Sequence, residues 1–192
     1  MKIDDSGMPE EIYWNSLFDI DGIIEWLGPL KHGSKIVEVG CGYGTFTVPL
    51  AKKTKGDIYT FDIESSMIDA TRSNTQESGL SNVVLGLRDV LDQGTGLEAN
   101  SVDMVLLFNI LHFSERSQFL KEASRILKNG GVAAIIHWRK DISTPRGPAM
   151  NTRPDQAQIL SAAEGLDLNF NGDSCILEPY HWGIQLVKGA VS

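Results

Sequence analysis

Short, near-continuous apolar runs alternate along this chain with segments of helical periodicity. The runs are Ile36–Val39, Ile58–Phe61, Val83–Leu87, Met104–Phe108 and Val132–Ile136. Runs that are apolar at every position suit strands covered on both faces, and their alternation with helices predicts a parallel sheet. In Ser114–Leu127 the residues Phe119, Leu120, Ala123, Ile126 and Leu127 share one face. Ser114 stands at the expected N-cap of that helix, and Lys128-Asn129-Gly130-Gly131 at its glycine C-cap. Ser66-Met67-Ile68-Asp69 and Thr152-Arg153-Pro154-Asp155 read as capping boxes, the second opening a helix over Pro154–Ala163. Pro49 fits the first turn of a helix but not its interior.

The last part of the chain changes rhythm. Two strand-like runs, Leu168–Leu177 and Gly183–Val187, flank Glu178-Pro179-Tyr180-His181-Trp182, which predicts a closing hairpin and an antiparallel final strand. The expected architecture is α/β: a seven-stranded, mostly parallel sheet with helices on both faces and an antiparallel C-terminal hairpin. Residues 1–32 are expected to form a helical arm and 33–192 the body of a single domain. Asp141–Arg153, with Pro145 and Pro148, is the longest stretch without periodicity, and such loops are functional or mobile.

Composition narrows the function classes. At 192 residues, 42% apolar and 22% charged, the chain is ordinary globular material for one domain. Its formal charge of −8 argues against nucleic acid as the main partner, because phosphate binding runs on Lys and Arg. The one basic cluster, Arg139, Lys140, Arg146 and Arg153, is interrupted by Asp141 and Asp155. No apolar run has the length of a membrane span, and Met1-Lys2-Ile3-Asp4-Asp5 lacks the pattern of a signal peptide. The expectation is a cytoplasmic protein without a membrane partner. Two cysteines, Cys41 and Cys175, are too few for a disulfide framework or a structural zinc site.

The most informative residues are Ile36-Val37-Glu38-Val39-Gly40-Cys41-Gly42-Tyr43-Gly44: a buried strand, a turn with glycine at every second position, then a helix. Glycine permits positive φ and close approach of a ligand, and the helix start offers unpaired N–H groups. The spacing departs from the Gly-x-Gly-x-x-Gly of dinucleotide enzymes, since position 45 is Thr. An acidic Glu38 beside the turn also suits a ligand with a cationic centre better than a pyrophosphate. The second strand ends in Asp62, about twenty residues past the turn, where a carboxylate can accept ribose hydroxyls. The third ends in Arg88-Asp89-Val90 and the fourth in Asn109-Ile110-Leu111-His112. In an open α/β sheet all four clusters fall at the carboxyl rim, where ligands bind.

Glu38–Gly44 resembles the first motif of class I S-adenosylmethionine-dependent methyltransferases. Asp62 is similar to their ribose-binding acid, Asp89 to their adenine-contacting acid, and Leu127–Gly131 to their turn before the fifth strand, with Asn129 where proline is common. The resemblance spans roughly residues 33 to 140 and is nearest to the small-molecule, quinone- and arsenite-like branch. It implies a Rossmann-like fold and S-adenosyl-L-methionine as cofactor. Carried over by position, it implies that Gly40, Cys41, Gly42 and Gly44 pack on the cofactor and that Glu38 orients the turn and the amino group. It further implies Asp62 on the ribose, Ile63 and Met67 against adenine, Asp89 and Val90 at the adenine amino group, and the Asn109 carbonyl on the ammonium.

Methyl transfer from a sulfonium is an in-line displacement in which the protein supplies position and electrostatics. A base is needed only where the acceptor loses a proton. His112 and His137, at the ends of neighbouring strands, are the candidates, with a hydrogen-bonded wall residue as the more ordinary reading of each taken singly. A metal site built from His112, His137 and His181 lacks ligand spacing, so no metal is expected. Tyr13 and Trp14 belong either to a lid over the cofactor or to core packing. Trp138, Arg146 and His181 are candidates to line the acceptor pocket, with a solvated rim as the alternative for the arginines. The function expected is methyl transfer to a small-molecule acceptor. The alternative is a non-catalytic, cofactor-binding regulatory module on the same fold, and a nicotinamide-dependent oxidoreductase is disfavoured by the glycine spacing.

Overall fold

The computed structural model describes residues 7–189, with Asp173 described by its backbone alone. The acidic opening Met1–Asp5 lies outside the described residues. Seven strands form one sheet: β1 (Ile36–Val39), β2 (Ile58–Asp62), β3 (Val83–Leu87), β4 (Val102–Phe108), β5 (Leu127–Trp138), β6 (Leu168–Leu177) and β7 (His181–Lys188). Their order is β3-β2-β1-β4-β5-β7-β6. The first five are parallel, and β7 runs antiparallel between β5 and β6. Among the described residues there are also seven helices: α1 (Glu11–Asn15), α2 (Ile20–Trp26), α3 (Thr47–Thr54), α4 (Ser65–Glu77), α5 (Val90–Gln93), α6 (Arg116–Ile126) and α7 (Gln156–Ala162).

Alternation along the strands explains the two cores. Val37, Val105, Leu107, Ala133 and Ile135 pack with Phe119, Leu120, Ala123 and Ile126 of α6 on one face. Their neighbours Ile36, Met104, Leu106, Ala134 and Ile136 pack with Ile23 and Ile24 of α2 and Leu50 of α3 on the other. Successive side chains of a strand point to opposite faces, so strands between two helical layers must be apolar throughout. Each fully covered aliphatic side chain contributes about 1.5–3 kcal/mol relative to exposure. β1 lies between β2 and β4, so the strand order reverses there, and the crevice beyond its carboxyl end is the switch point of the sheet.

The helix ends differ from the sequence reading. Leu127 is extended (ψ 139) and already belongs to β5, so no glycine cap closes α6. Instead Val102 pairs with Leu127 and Met104 with Val132, and Lys128–Gly131 bulge out between them. Ser114 does not cap α6, because its hydroxyl goes to the Glu115 carboxylate at 2.6 Å. Ser66 lies inside α4, whose N-cap is Glu64, and the true capping box of α7 is Asp155 with Gln158.

Candidate functional site

The glycine turn leaves β1 with positive φ at Gly40 (83°), Gly42 (51°) and Gly44 (78°). Its backbone is tied to the end of β2: the N–H groups of Gly40 and Cys41 donate to the Phe61 carbonyl at 2.7 and 3.2 Å. Asp62 Oδ2 accepts the Gly42 N–H at 3.1 Å, and Oδ1 accepts the Glu64 N–H at 3.0 Å. From α4, the Thr71 hydroxyl donates to the Gly42 carbonyl at 2.8 Å. Burial raises the Asp62 carboxyl above its ordinary value, with the two N–H donors opposing.

A cavity of about 450 Å³ opens at this rim, within the range of small-molecule sites. Gly40, Cys41 and Gly42 line it together with Asp62, Ile63, Met67, Asp89 and Val90. Asp89 also caps α5, its Oδ1 accepting the Leu91 N–H at 2.9 Å. Asn109, His112 and Trp138 also line it, as do Trp14 and Arg146.

Several expected residues stand elsewhere. Gly44 is not in the lining; a Cβ there would lie 3.0 Å from a carbon of Thr71, so its need for glycine comes from α4 packing. Glu38 is buried beneath the turn, where Thr47 and Thr60 donate to its Oε2. Burial pushes its carboxyl up to about 8, and the nearby Asp62 charge acts in the same direction. Glu38 therefore braces β1, β2 and α3 and has no place in the cavity wall. Tyr13 is exposed and outside the lining. His181 is fully buried, stacked on Phe18 with ring centroids 4.5 Å apart, and neither ring nitrogen has a hydrogen-bond partner among the described residues. Burial first, and then Arg153, push it down to about 3.

His112 and His137 do approach one another, with ring centroids 5.9 Å apart, but only His112 reaches the cavity. His137 is fully buried, and burial, then the charge of His112, push it down to about 3. His112 Nδ1 lies 3.2 Å from the Asn109 carbonyl. A carbonyl only accepts, so Nδ1 carries the hydrogen and Nε2 is left with the lone pair. Burial, opposed by that hydrogen bond, lowers the pKa of His112 and keeps the ring neutral near pH 7. Asn109 itself is held at φ 59 with its N–H on the Ile136 carbonyl at 2.8 Å. Its side-chain Oδ1 is buried without a partner among the described residues. A non-glycine residue at positive φ with an orphaned acceptor is strained in a way that marks ligand sites.

The basic cluster comes apart in three dimensions. Arg139 pairs with Asp141 at 2.8 Å and Lys140 with Asp155 at 2.6 Å. Arg153 is buried and donates to the carbonyls of Pro148, Arg139 and Arg146, pinning the Asp141–Arg153 loop. Only Arg146 of the four lines the cavity.

Sequence reasoning missed Met8 and Pro9, which also line the cavity. Tyr43 donates its hydroxyl to the Pro9 carbonyl at 2.7 Å, and a Cβ at Gly42 would lie 3.2 Å from the Met8 methyl. No local pattern announces such a contact. Phe113 and Phe119 were legible only as apolar positions, yet both face the cavity.

Comparison with known proteins identifies the family. A family profile described as "Methyltransferase domain" matches residues 30–167. A crystal structure of a SAM-dependent methyltransferase from Aquifex aeolicus superposes with a TM-score of 0.77 at 26% identity, covering 88% of this chain and 89% of that one. EEF1A lysine methyltransferase 2 of Homo sapiens is 28% identical over 139 residues, 67% of this chain and 59% of that protein. Aklanonic acid methyltransferase DauC of Streptomyces sp. (strain C5) is 29% identical over 106 residues, 54% of this chain and 47% of that protein. The chain thus spans about half the length of the curated relatives it matches. With the profile across most of its sheet and the glycine turn, Asp62 and Asp89 on one rim, the chain belongs to the class I S-adenosylmethionine-dependent methyltransferase domain family.

Proposed function

We propose that this chain methylates a small-molecule acceptor, with His112 as the base that removes the acceptor's proton. The observation that carries the reading is the contact between Asp62 and Gly42, which joins the acid at the end of β2 to the glycine turn of β1. S-adenosyl-L-methionine, when bound, supplies an electrophilic methyl group on a sulfonium.

The residues present fit that group. Gly40 and Gly42 leave the rim open to it, since each faces the cavity without a side chain. Asp62 would accept the ribose hydroxyls, Ile63, Met67 and Val90 would flank the adenine ring, and Asp89 would take its amino group. The orphaned Asn109 Oδ1 and the Asn109 carbonyl are acceptors for the ammonium. Residues 7–9 and Trp14 would serve as a lid, excluding water from the reacting atoms.

His112 would act through Nε2, its tautomer fixed by Asn109. A neutral imidazole with a lowered pKa is ready to accept a proton at pH 7.

The test is transfer of an isotopically labelled methyl group to a panel of small hydroxyl, amine, thiol and carbon acids. Labelled product that depends on His112 supports the reading. Cofactor binding without turnover across the panel would favour a regulatory module instead.

A further inference from the structure

The end of the cavity beyond the glycine turn carries an unusual pairing of groups. Trp138 is 1% exposed and forms its wall, with Trp14 at 6.4 Å between ring centroids, edge to face. Arg146 lines the same cavity, on the loop that Arg153 pins by three carbonyl contacts, and the guanidinium over the Trp138 ring, 5.8 Å from its centroid, is that of Arg153. The Arg146 guanidinium donates to the Gly7 carbonyl and has no carboxylate partner among the described residues, in contrast to Arg139. The next residue, Gly147, packs closely on this wall: a Cβ there would stand 2.9 Å from Trp138 and 3.0 Å from Arg153. His112, whose Nε2 has no hydrogen-bond partner among the described residues, lines the same space.

A guanidinium with no carboxylate partner among the described residues, in one cavity with the half-buried Trp14 indole, selects an anion on a flat apolar body, because the fork of N–H donors matches a carboxylate and the indole covers a planar face. We propose that the acceptor is a small phenolic carboxylate: its ring lies against Trp14, its carboxylate on Arg146, and its hydroxyl at His112 Nε2. This assignment rests on the methyltransferase reading above. The hydroxyl oxygen forms the new bond to the methyl carbon while its proton passes to Nε2. The carbon–sulfur bond breaks with its electron pair staying on sulfur, so the sulfonium becomes a neutral thioether and His112 an imidazolium that later returns its proton to water. Two other demands on Arg146 are conceivable, the carboxylate of the cofactor's own methionine part and a purely structural contact to Gly7, and the experiment separates them.

Isothermal titration of the full chain with S-adenosylhomocysteine, then of the binary complex with the three isomeric hydroxybenzoates and the matching neutral hydroxybenzamides, provides the test. At least one hydroxybenzoate is expected to bind roughly tenfold more tightly than its amide. In Arg146→Gln that preference disappears while S-adenosylhomocysteine affinity stays within about twofold, and Arg146→Lys restores part of the preference. A drop in S-adenosylhomocysteine affinity in Arg146→Gln would move the arginine to the cofactor and overturn the proposal. So would equal binding of acids and amides, or no binding of either to the binary complex. If the unmodified chain fails to bind S-adenosylhomocysteine at all, the methyltransferase reading falls and this assignment with it.

Discussion

Asp62 and Gly42 meet across the switch point of the sheet, the carboxylate Oδ2 accepting the glycine N–H at 3.1 Å. The same carboxylate fixes the entry to α4 through the Glu64 N–H. One side chain therefore shapes the turn and presents charge to the cavity. Asp62→Ala is expected to weaken S-adenosylhomocysteine binding by about ten- to a hundredfold, the worth of one or two hydrogen bonds to a charged group. Calorimetry checks this, with thermal unfolding of the apo protein run alongside to confirm that the variant folds.

His112 separates chemistry from binding. In His112→Gln, turnover should fall by about 10²–10⁴ while S-adenosylhomocysteine affinity is unchanged. Because burial lowers its pKa, the unmodified enzyme should keep a flat rate through neutral pH and lose activity only below the ordinary imidazole range. A rate that falls already between pH 8 and 7 would assign the titrating group elsewhere.

The buried histidines set the acid limb of stability. His181 has a folded value of about 3, below its ordinary 6.5. As pH falls through 6.5 the unfolded chain takes up a proton that the folded chain refuses, so stability is full above 6.5 and drains away toward 3. The slope approaches about 1.4 kcal/mol per pH unit for such a group. His181→Phe removes this term and keeps the stacking on Phe18, so its urea midpoint should fall less than that of the unmodified protein between pH 7 and 5. Parallel curves would show that His181 is not the titrating group.

Glu38 acts with the opposite sign. Its folded value of about 8 lies above the ordinary 4.5, so its contribution is complete below 4.5 and is lost as pH rises toward 8. Glu38→Gln, which keeps an acceptor for Thr47, should gain stability relative to the unmodified chain as pH is raised from 5 to 8. Denaturant midpoints at those two values measure the difference.

The strands and the rim were legible because their causes are local. A strand covered on both faces must be nearly all apolar, as β1 is apart from Glu38; β3 is equally apolar although it lies at the sheet edge with Val84 and Leu87 exposed, and both appear in the sequence with their structural bounds, Ile36–Val39 and Val83–Leu87. Asp62 and the glycine turn follow from spacing within one strand–turn–helix–strand unit. The fate of the histidines was not local. His181 looked like a pocket residue because it stands in the closing hairpin expected beside the pocket, but its place is decided by Phe18 from the N-terminal arm, which covers it. The basic cluster likewise held four equivalent cations in the sequence. Only the fold shows that Asp141 and Asp155 neutralise two of them, that backbone carbonyls take up Arg153, and that Arg146 is left facing the cavity. The looped-out Lys128–Gly131 was mistaken for a helix cap because glycine at positive φ serves both purposes.

The account depends most on the crevice at the end of β1 being where the cofactor sits, and a crystal structure grown with S-adenosylhomocysteine measures that directly. The expected result is ribose hydroxyls within hydrogen-bonding distance of Asp62, the ammonium at Asn109, and sulfur facing the space between His112 and Trp138. Density for the ligand away from the Gly40–Gly42 turn, or a ribose with no contact to Asp62, would contradict it.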